Sequence, residues 1–114
     1  MKYNAKPCTH FGIRFASKYE GEIYLMLKDM QTRKQIDSLE CHPRYPLNVG
    51  GEKIGDYVCD FRFREKGKEV ALEAKGHAGD TRLWKWKERH FRAQYRNVEL
   101  RVVKPGQLLK ARAA

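Results

Sequence analysis

The sequence of 114 residues lacks any long apolar run and contains only 3 cysteines. No stretch approaches the roughly 18 apolar residues that a membrane-spanning helix needs, so no such helix is expected. The basic residues near the start, 1–7, are followed by no apolar segment, which argues against a signal peptide. Because the cysteines are odd in number and unevenly spaced, we expect reduced thiols in a cytosolic protein rather than a disulfide framework.

Acidic residues are too few to balance the basic ones. The 24 lysines and arginines exceed the 14 aspartates and glutamates and leave a formal net charge of +10. Such a surplus favours a polyanionic partner, with nucleic acid expected before an anionic membrane surface. A membrane-surface protein usually concentrates its basic residues on one amphipathic helix. Here they are spread over the chain, with the heaviest surplus from Arg82 onward, so the expected partner is DNA and not a membrane.

The hydrophobic pattern predicts a single α/β domain over residues 1–114. A composition of 41% hydrophobic and 33% charged residues is typical of a globular chain. The apolar spacing predicts a helix over 15–30 and strands at 36–39, 45–49, 57–64, 70–75 and 98–103. Asp80 or Thr81 is positioned to cap a second helix, which runs to about residue 95. This order predicts helices packed on a mixed sheet, followed by a loose basic tail at 104–114.

The sequence around residues 66–67 predicts a tight hairpin with a defined register. A two-residue turn there pairs residues of opposite charge, namely Glu65 with Lys68 and Arg64 with Glu69. The same register places Asp60 opposite Glu73, with Lys75 two residues further along the same face. One face of the hairpin is therefore expected to present two acids and a lysine close together.

Two carboxylates beside a lysine suit metal-assisted hydrolysis of a phosphodiester. Magnesium takes oxygen ligands, commonly one or two carboxylates together with water and phosphate. A neighbouring lysine can orient or deprotonate the attacking water and stabilise the charge that grows on the phosphate. The alternative is a surface hairpin in which Lys75 neutralises Asp60 or Glu73, because this three-residue pattern is common. A β-bulge would shift the register and remove the facing geometry.

Asp60 followed by Glu73-Ala74-Lys75 resembles the signature of the PD-(D/E)XK nuclease superfamily. Further blocks resemble the small phage and prophage endonuclease-like proteins of that superfamily, at residues 15–20, 39–47, 53–61 and 73–76. Residues 82–103 resemble their closing helix and strand, so the resemblance covers about residues 11–103. One departure is Cys59, which precedes Asp60 where the signature has proline.

The resemblance implies a restriction-endonuclease-like αβββαβ core, with a mixed central sheet flanked by helices. It implies a divalent-metal-dependent endonuclease in which Asp60 and Glu73 bind Mg²⁺ or Mn²⁺. Glu20 would add a further acid to the metal site, and Lys75 would be the catalytic lysine. Relatives of this kind include Holliday-junction resolvases, so a homodimer that acts on branched DNA is one expectation. A phage- or prophage-encoded protein of this kind would act in the bacterial cytoplasm.

Glu20 has two interpretations that the residues leave open. It lies at the edge of the apolar face of the predicted helix, where an acid suggests a site. Ser17 and Glu20 also fit a capping box, in which the serine caps the helix and the glutamate bonds back to it. The family resemblance favours the metal site.

The second helix supplies candidate nucleic-acid contacts at Lys85, Lys87, Arg89 and Arg92. Trp84 and Trp86 alternate with these lysines, which suggests base stacking. Two residues apart on a helix point about 200° away from each other, so the two rings cannot form one platform. We therefore expect one tryptophan in the core.

Two further sets of residues are weaker candidates. A zinc site could be assembled on paper from Cys8, His10, Cys41 and His42, but their spacing matches no familiar zinc motif. His77 follows the hairpin closely and is expected to be a solvated loop residue, with a phosphate contact as the alternative. The sequence assigns no residue to an organic cofactor.

The expected function is therefore a divalent-metal-dependent DNA endonuclease that recognises DNA shape, such as a junction or flap, rather than a long sequence. The first alternative is a non-catalytic nucleic-acid-binding module of the same fold. A third hypothesis is a phage assembly or inhibitor protein that binds an acidic host partner. Both the first and second predict salt-dependent DNA binding, so cleavage is needed to separate them.

Overall fold

The computed structural model describes residues 6–74 and 81–104. Within these residues the elements follow one another as β1 (Cys8–His10), β2 (Ile13–Phe15), α1 (Lys18–Thr32), β3 (Asp37–Cys41), β4 (Arg44–Val49), β5 (Glu52–Val58), β6 (Phe61–Glu65), β7 (Lys68–Ala74), α2 (Arg82–Gln94) and β8 (Val98–Val103). The fold is thus mixed α/β, as the sequence predicts. No helix in the described part of the chain is long and apolar enough to cross a membrane.

The central sheet has the strand order β3-β6-β7-β8. The first three strands are antiparallel neighbours, whereas β8 lies parallel to β7. A parallel pair needs a crossover connection, and α2 supplies it. The short pairs β1–β2 and β4–β5 form separate two-stranded sheets.

The two helices cover opposite faces of the central sheet. On one face, α1 packs its buried residues Ile23, Tyr24 and Leu27 against Phe61, Phe63, Val70 and Leu72. On the other face, α2 packs Trp84 and Phe91 against Ala71, Leu100 and the tyrosines Tyr45 and Tyr57 of the β4–β5 hairpin. The alternation along β6 and β7 therefore gives each helix its own core cluster.

The strand predicted over residues 57–64 is wrong, because it is two strands separated at Cys59 and Asp60. The backbone N–H of Cys59 donates to the Pro43 carbonyl at 3.0 Å, and that of His42 donates to the Asp60 carbonyl at 2.9 Å. These bonds join the base of the β4–β5 hairpin to the break. Tyr57 and Cys59 belong to the α2 side, whereas Phe61 packs on the α1 side, so the break reverses the faces.

The first helix begins later than its apolar spacing predicts. Phe15 ends β2 and is fully buried, and α1 starts at Lys18 behind the N-cap Ser17. The preceding residues form a hairpin whose turn residues Phe11 and Gly12 have φ values of 51° and 78°. The expected lead-in is therefore structured from Cys8 onward.

Most of the remaining predicted elements agree with the structure, but β5 begins at Glu52, five residues before the strand that the alternation predicts. Gly50 and Gly51 adopt left-handed conformations in the turn between β4 and β5. Thr81 caps α2 through a hydrogen bond from the Trp84 N–H at 3.1 Å. The predicted register of the β6–β7 hairpin is confirmed from Glu65–Lys68 to Phe61–Leu72. Strand β8 has its predicted bounds. Of the predicted tail, only Lys104 lies within the described residues.

Candidate metal centre

Glu20 lies in the first turn of α1, where the cap places it beside the end of the central sheet. Ser17 accepts a hydrogen bond from the Glu20 backbone N–H at 3.2 Å, which is the serine half of the predicted capping box. The carboxyl group is half-buried, and burial raises its pKa above the usual value. The nearby His42 and the backbone N–H of Ala16 partly offset this rise. A cation beside Glu20 would stabilise its ionised form.

Asp60 lies in the break between β5 and β6, with its carboxylate at the carboxyl end of β7. Its Oδ2 atom accepts a hydrogen bond of 2.7 Å from the backbone N–H of Ala74. Ala74 is the residue directly after Glu73, so the side chain of Asp60 reaches the end of the neighbouring strand. This bond to a charged acceptor fixes the carboxylate at a defined place.

His42 completes a cluster that the sequence does not reveal. It occupies the turn between β3 and β4 with a φ of 56°, and its backbone N–H bond to Asp60 holds that turn against the strand break. One ligand atom from each of Glu20, His42 and Asp60 lies within 4.8 Å of the other two. The sequence gives only a weak signal for this role, because His42 follows Cys41 in a set whose spacing matches no familiar zinc motif.

The cluster has the dimensions and donors of a divalent metal site. With metal–ligand bonds of about 2.0–2.2 Å, ligand atoms on opposite sides of an ion lie about 4.2 Å apart. The 4.8 Å limit in the structure therefore needs only a small closure. Two carboxylates suit Mg²⁺ and Mn²⁺, and an imidazole adds affinity for transition metals. The residues present thus fit the metal that the resemblance implies.

Glu73 is held on the α2 side of β7 by a tyrosine. The hydroxyl of Tyr57 donates to its Oε1 atom at 2.6 Å. Burial raises the pKa of Tyr57 far above its usual value, and the neighbouring Cys59 and Glu73 raise it further. The phenol therefore remains a hydrogen-bond donor to Glu73 throughout the physiological pH range.

The sequence predicts that Asp60 and Glu73 pair across the β6–β7 hairpin, but this pair is not among those that the two strands form. The β6–β7 pairing ends at Phe61–Leu72, one residue before both acids. The structure groups Asp60 with Glu20 and His42, while Glu73 bonds to Tyr57. Lys75 and His77 lie outside the described residues.

The candidate DNA-contacting residues of α2 differ in their surroundings. Lys85 and Arg89 are exposed, and Lys87 is half-buried. Arg92 is bound to Glu88 by an ion pair of 2.8 Å, which reduces its availability to phosphate. Of the tryptophans on this helix, Trp84 is 7% exposed and Trp86 is 70% exposed, which confirms that one of them is in the core.

Within the part of the chain that the structure describes, the cysteines and histidines of the possible zinc set do not form a metal-binding group. There, the group with metal-binding geometry is Glu20, His42 and Asp60. Cys8 instead donates from its thiol to the Ser17 carbonyl at 3.5 Å. Burial raises the pKa of Cys41, which disfavours a thiolate ligand.

Comparison with known proteins places the chain in a family without assigning an activity. Residues 1–110 match the model of the family described as protein of unknown function (DUF1064). The chain belongs to this family. No curated protein and no solved structure matches the chain.

Proposed function

We propose that the protein is a divalent-metal-dependent DNA endonuclease that hydrolyses phosphodiester bonds. The observation that carries this proposal is the convergence of Glu20, His42 and Asp60 from three separate segments of the chain. They meet beside the end of β7, the strand that carries Glu73 and leads directly to Lys75.

The topology supports a restriction-endonuclease-like core. The order of α1, β3, β6, β7, α2 and β8 corresponds to the αβββαβ arrangement, with the β4–β5 hairpin inserted between its first two strands. The parallel position of β8 and the placement of one helix on each face agree with a mixed central sheet flanked by helices. In this arrangement the candidate acids lie at one end of the sheet.

The residues divide the proposed chemistry among them. Glu20, His42 and Asp60 would hold the metal ion, and the backbone N–H of Ala74 orients the carboxylate of Asp60. A bound divalent ion lowers the pKa of water and stabilises charge on a phosphate. Glu73, fixed by Tyr57, would add a carboxylate, and Lys75 would orient the attacking water. The basic residues of α2 would bind the DNA backbone.

The proposed substrate is DNA with a distinctive shape, such as a junction or a flap. The exposed basic residues of α2 can contact the phosphates of any sequence, whereas a junction or a flap differs from a plain duplex in its shape. Action as a homodimer in the bacterial cytoplasm is part of the same proposal, as is an origin in a phage or prophage.

A cleavage assay tests this proposal. Linear duplex, single-stranded, flapped and four-way-junction DNA would be incubated with the protein in Mg²⁺, in Mn²⁺ and in EDTA. We expect metal-dependent cleavage of at least one branched form and none in EDTA. Asp60→Asn should abolish cleavage, because asparagine lacks the negative charge that the metal ion needs. Its side-chain oxygen can still accept the hydrogen bond from the Ala74 N–H, so the local structure should be retained.

Asp56→Asn is the matched control for the loss of a carboxylate on the same segment. Asp56 forms ion pairs with Arg44 at 3.3 Å and Lys53 at 3.2 Å, outside the metal cluster. This variant should cleave like the parent. If the parent binds DNA but cleaves none of the substrates in either metal, the non-catalytic binding module is the better function.

A further inference from the structure

The helix α2 exposes two large apolar side chains on the side that faces away from the core. Trp86 and Leu83 are each 70% exposed, whereas Trp84 and Phe91 are buried. Residues three apart on a helix lie on neighbouring positions of its surface, so Leu83 and Trp86 form one patch. An exposed tryptophan is costly to leave in water without a partner, because its large apolar ring remains hydrated.

Basic side chains surround this patch. Arg82 precedes Trp86 by four residues, Arg89 follows it by three, and both are therefore its surface neighbours. Lys85 is also exposed. Among the described residues, none of these three cations has an acidic partner, and the one acid of the helix, Glu88, is already paired with Arg92.

The helix that carries the patch is anchored beside Glu73 of β7. The ring of Trp84 lies 5.8 Å from that of Tyr57, whose hydroxyl bonds to Glu73. The first turns of α2 are therefore anchored next to Glu73. Trp86 lies two residues further along the helix and points about 200° away from Trp84, on the outer surface of α2.

We propose that Trp86 stacks on an unpaired base of a nucleic acid that is bound along this face of α2. An exposed indole offers its ring to any base, and flanking arginines neutralise the phosphates on either side. In an intact duplex the bases are already stacked on each other and paired, so they cannot reach the ring. The preferred ligand is consequently a single strand, or the unpaired segment of a flap or junction.

The positive charge around Trp86 favours a nucleic acid over a protein as the ligand of this patch. Burying several cations against a protein surface is costly, and a second copy of this chain, with its net charge of +10, would repel them. The phosphates of a nucleic acid are instead attracted by each of these cations. That the bound strand is also the one cleaved rests on the proposed nuclease function, whereas the stacking itself does not need the metal.

Fluorescence in EDTA tests the stacking directly. The chain contains 2 tryptophans, and the buried Trp84 serves as an internal reference. We expect oligothymidine to quench the emission of the parent strongly and a duplex of equal length to quench it weakly. Trp86→Phe, which retains Trp84 alone, should lose most of this quenching.

Affinities measured by anisotropy in EDTA give the second readout. Trp86→Ala should weaken single-strand binding by roughly 5- to 150-fold, the scale of one base–aromatic contact, and leave duplex affinity unchanged. Lys85→Gln is the matched control on the same surface and should weaken both ligands equally while reducing the salt dependence. Circular dichroism would verify that each variant is folded.

Equal losses for single strand and duplex in Trp86→Ala, or no loss, would overturn the inference. So would a dimer that dissociates in Trp86→Ala with DNA affinity intact, because a second copy of the chain would then cover the patch. A protein that binds single strands through Trp86 yet cleaves no DNA would refute the proposed nuclease and leave this inference standing.

Discussion

The two faces of the central sheet are built from different chemistry. The α1 face is an apolar core in which Val70 and Leu72 of β7 are buried against the helix. The α2 face contains tyrosines that bind carboxylates of the same strand, with Tyr45 donating to Glu69 at 2.7 Å and Tyr57 donating to Glu73 at 2.6 Å. One alternating strand thus supplies apolar packing on one side and oriented acids on the other.

The two faces of the sheet position different residues of the candidate site. Apolar packing on the α1 side holds the start of the helix, and with it Glu20, against the sheet end. The hydrogen-bonded α2 side fixes the direction of Glu73, because a satisfied buried network restricts its members to one geometry. The helix α2 beyond it has the exposed cations Arg82, Lys85 and Arg89 on its outer surface. Changes on the two faces should therefore produce distinct defects.

After Asp60→Asn, the largest effect on cleavage is expected at Lys75, the residue that follows β7. Lys75→Ala should reduce the cleavage rate by about 10²- to 10⁴-fold, the usual contribution of a positioned acid–base group. Metal affinity measured by calorimetry should remain, because no metal ligand is removed. A variant that cleaves normally would show that Lys75 is only an ion-pair partner of the hairpin.

Glu20 and Ser17 separate metal binding from helix capping on the α1 side. Glu20→Gln should lose Mn²⁺ affinity by at least about 100-fold and cleave much more slowly. It should melt within a few degrees of the parent, because burial already penalises the charge that is removed. Ser17→Ala should behave in the opposite way, losing about 1 kcal/mol of unfolding free energy with cleavage nearly intact.

The control for this pair is Glu22→Gln, which removes an exposed acid of the same helix. It should match the parent in melting, metal binding and cleavage. Full activity of Glu20→Gln would assign Glu20 to the helix cap alone.

His42 should decide which metal the site prefers. His42→Ala should reduce Mn²⁺ affinity by roughly 10- to 100-fold and Mg²⁺ affinity by less, because imidazole favours transition metals. Titration calorimetry with each chloride salt measures both values. His90→Ala removes a histidine that instead contacts Asn48 and Gln94, so its metal affinities should not change. Unchanged Mn²⁺ affinity in His42→Ala would exclude His42 from the site.

The smallest effect on cleavage is expected from the tyrosines of the α2 side. Tyr57→Phe should lower the unfolding free energy by about 1.5–3 kcal/mol, because it removes a hydrogen bond to a charged acceptor. It should slow cleavage by roughly 10-fold through the loosened Glu73. Tyr45→Phe removes the equivalent bond to Glu69 and should cost similar stability, measured by urea unfolding, with no loss of cleavage. If Tyr57→Phe and Tyr45→Phe cleave at the same rate, Glu73 has no role in the cleavage reaction.

Local sequence signals predicted the parts of the fold that local interactions determine. Opposite charges and a turn-forming glycine set the β6–β7 register, and Thr81 marked the start of α2. Ser17 caps α1, as the capping-box interpretation predicts, although the apolar spacing alone placed the start of the helix at residue 15. In each case the deciding contact joins residues only a few positions apart.

The errors arise where a distant segment overrides the local pattern. The uninterrupted alternation from Tyr57 to Phe63 predicts one strand, but Pro43 and His42 bond to its middle and divide it. His42 joins Glu20 and Asp60 only through the tertiary fold, so no spacing in the sequence indicated it. The exposure of Trp86 depends on which side of α2 meets the hairpin.

The β6–β7 hairpin also has a consequence for the order of folding. Its turn residues Lys66 and Gly67 adopt φ values of 53° and 78°, and its strands are adjacent in sequence, so it can form within about 1–10 μs. The metal cluster includes Glu20 of α1, which lies much earlier in the chain. Forming the cluster therefore costs the entropy of closing a long loop. During refolding, the hairpin should therefore form before the metal site does. The time at which the protein binds metal would then report when α1 packs against the sheet.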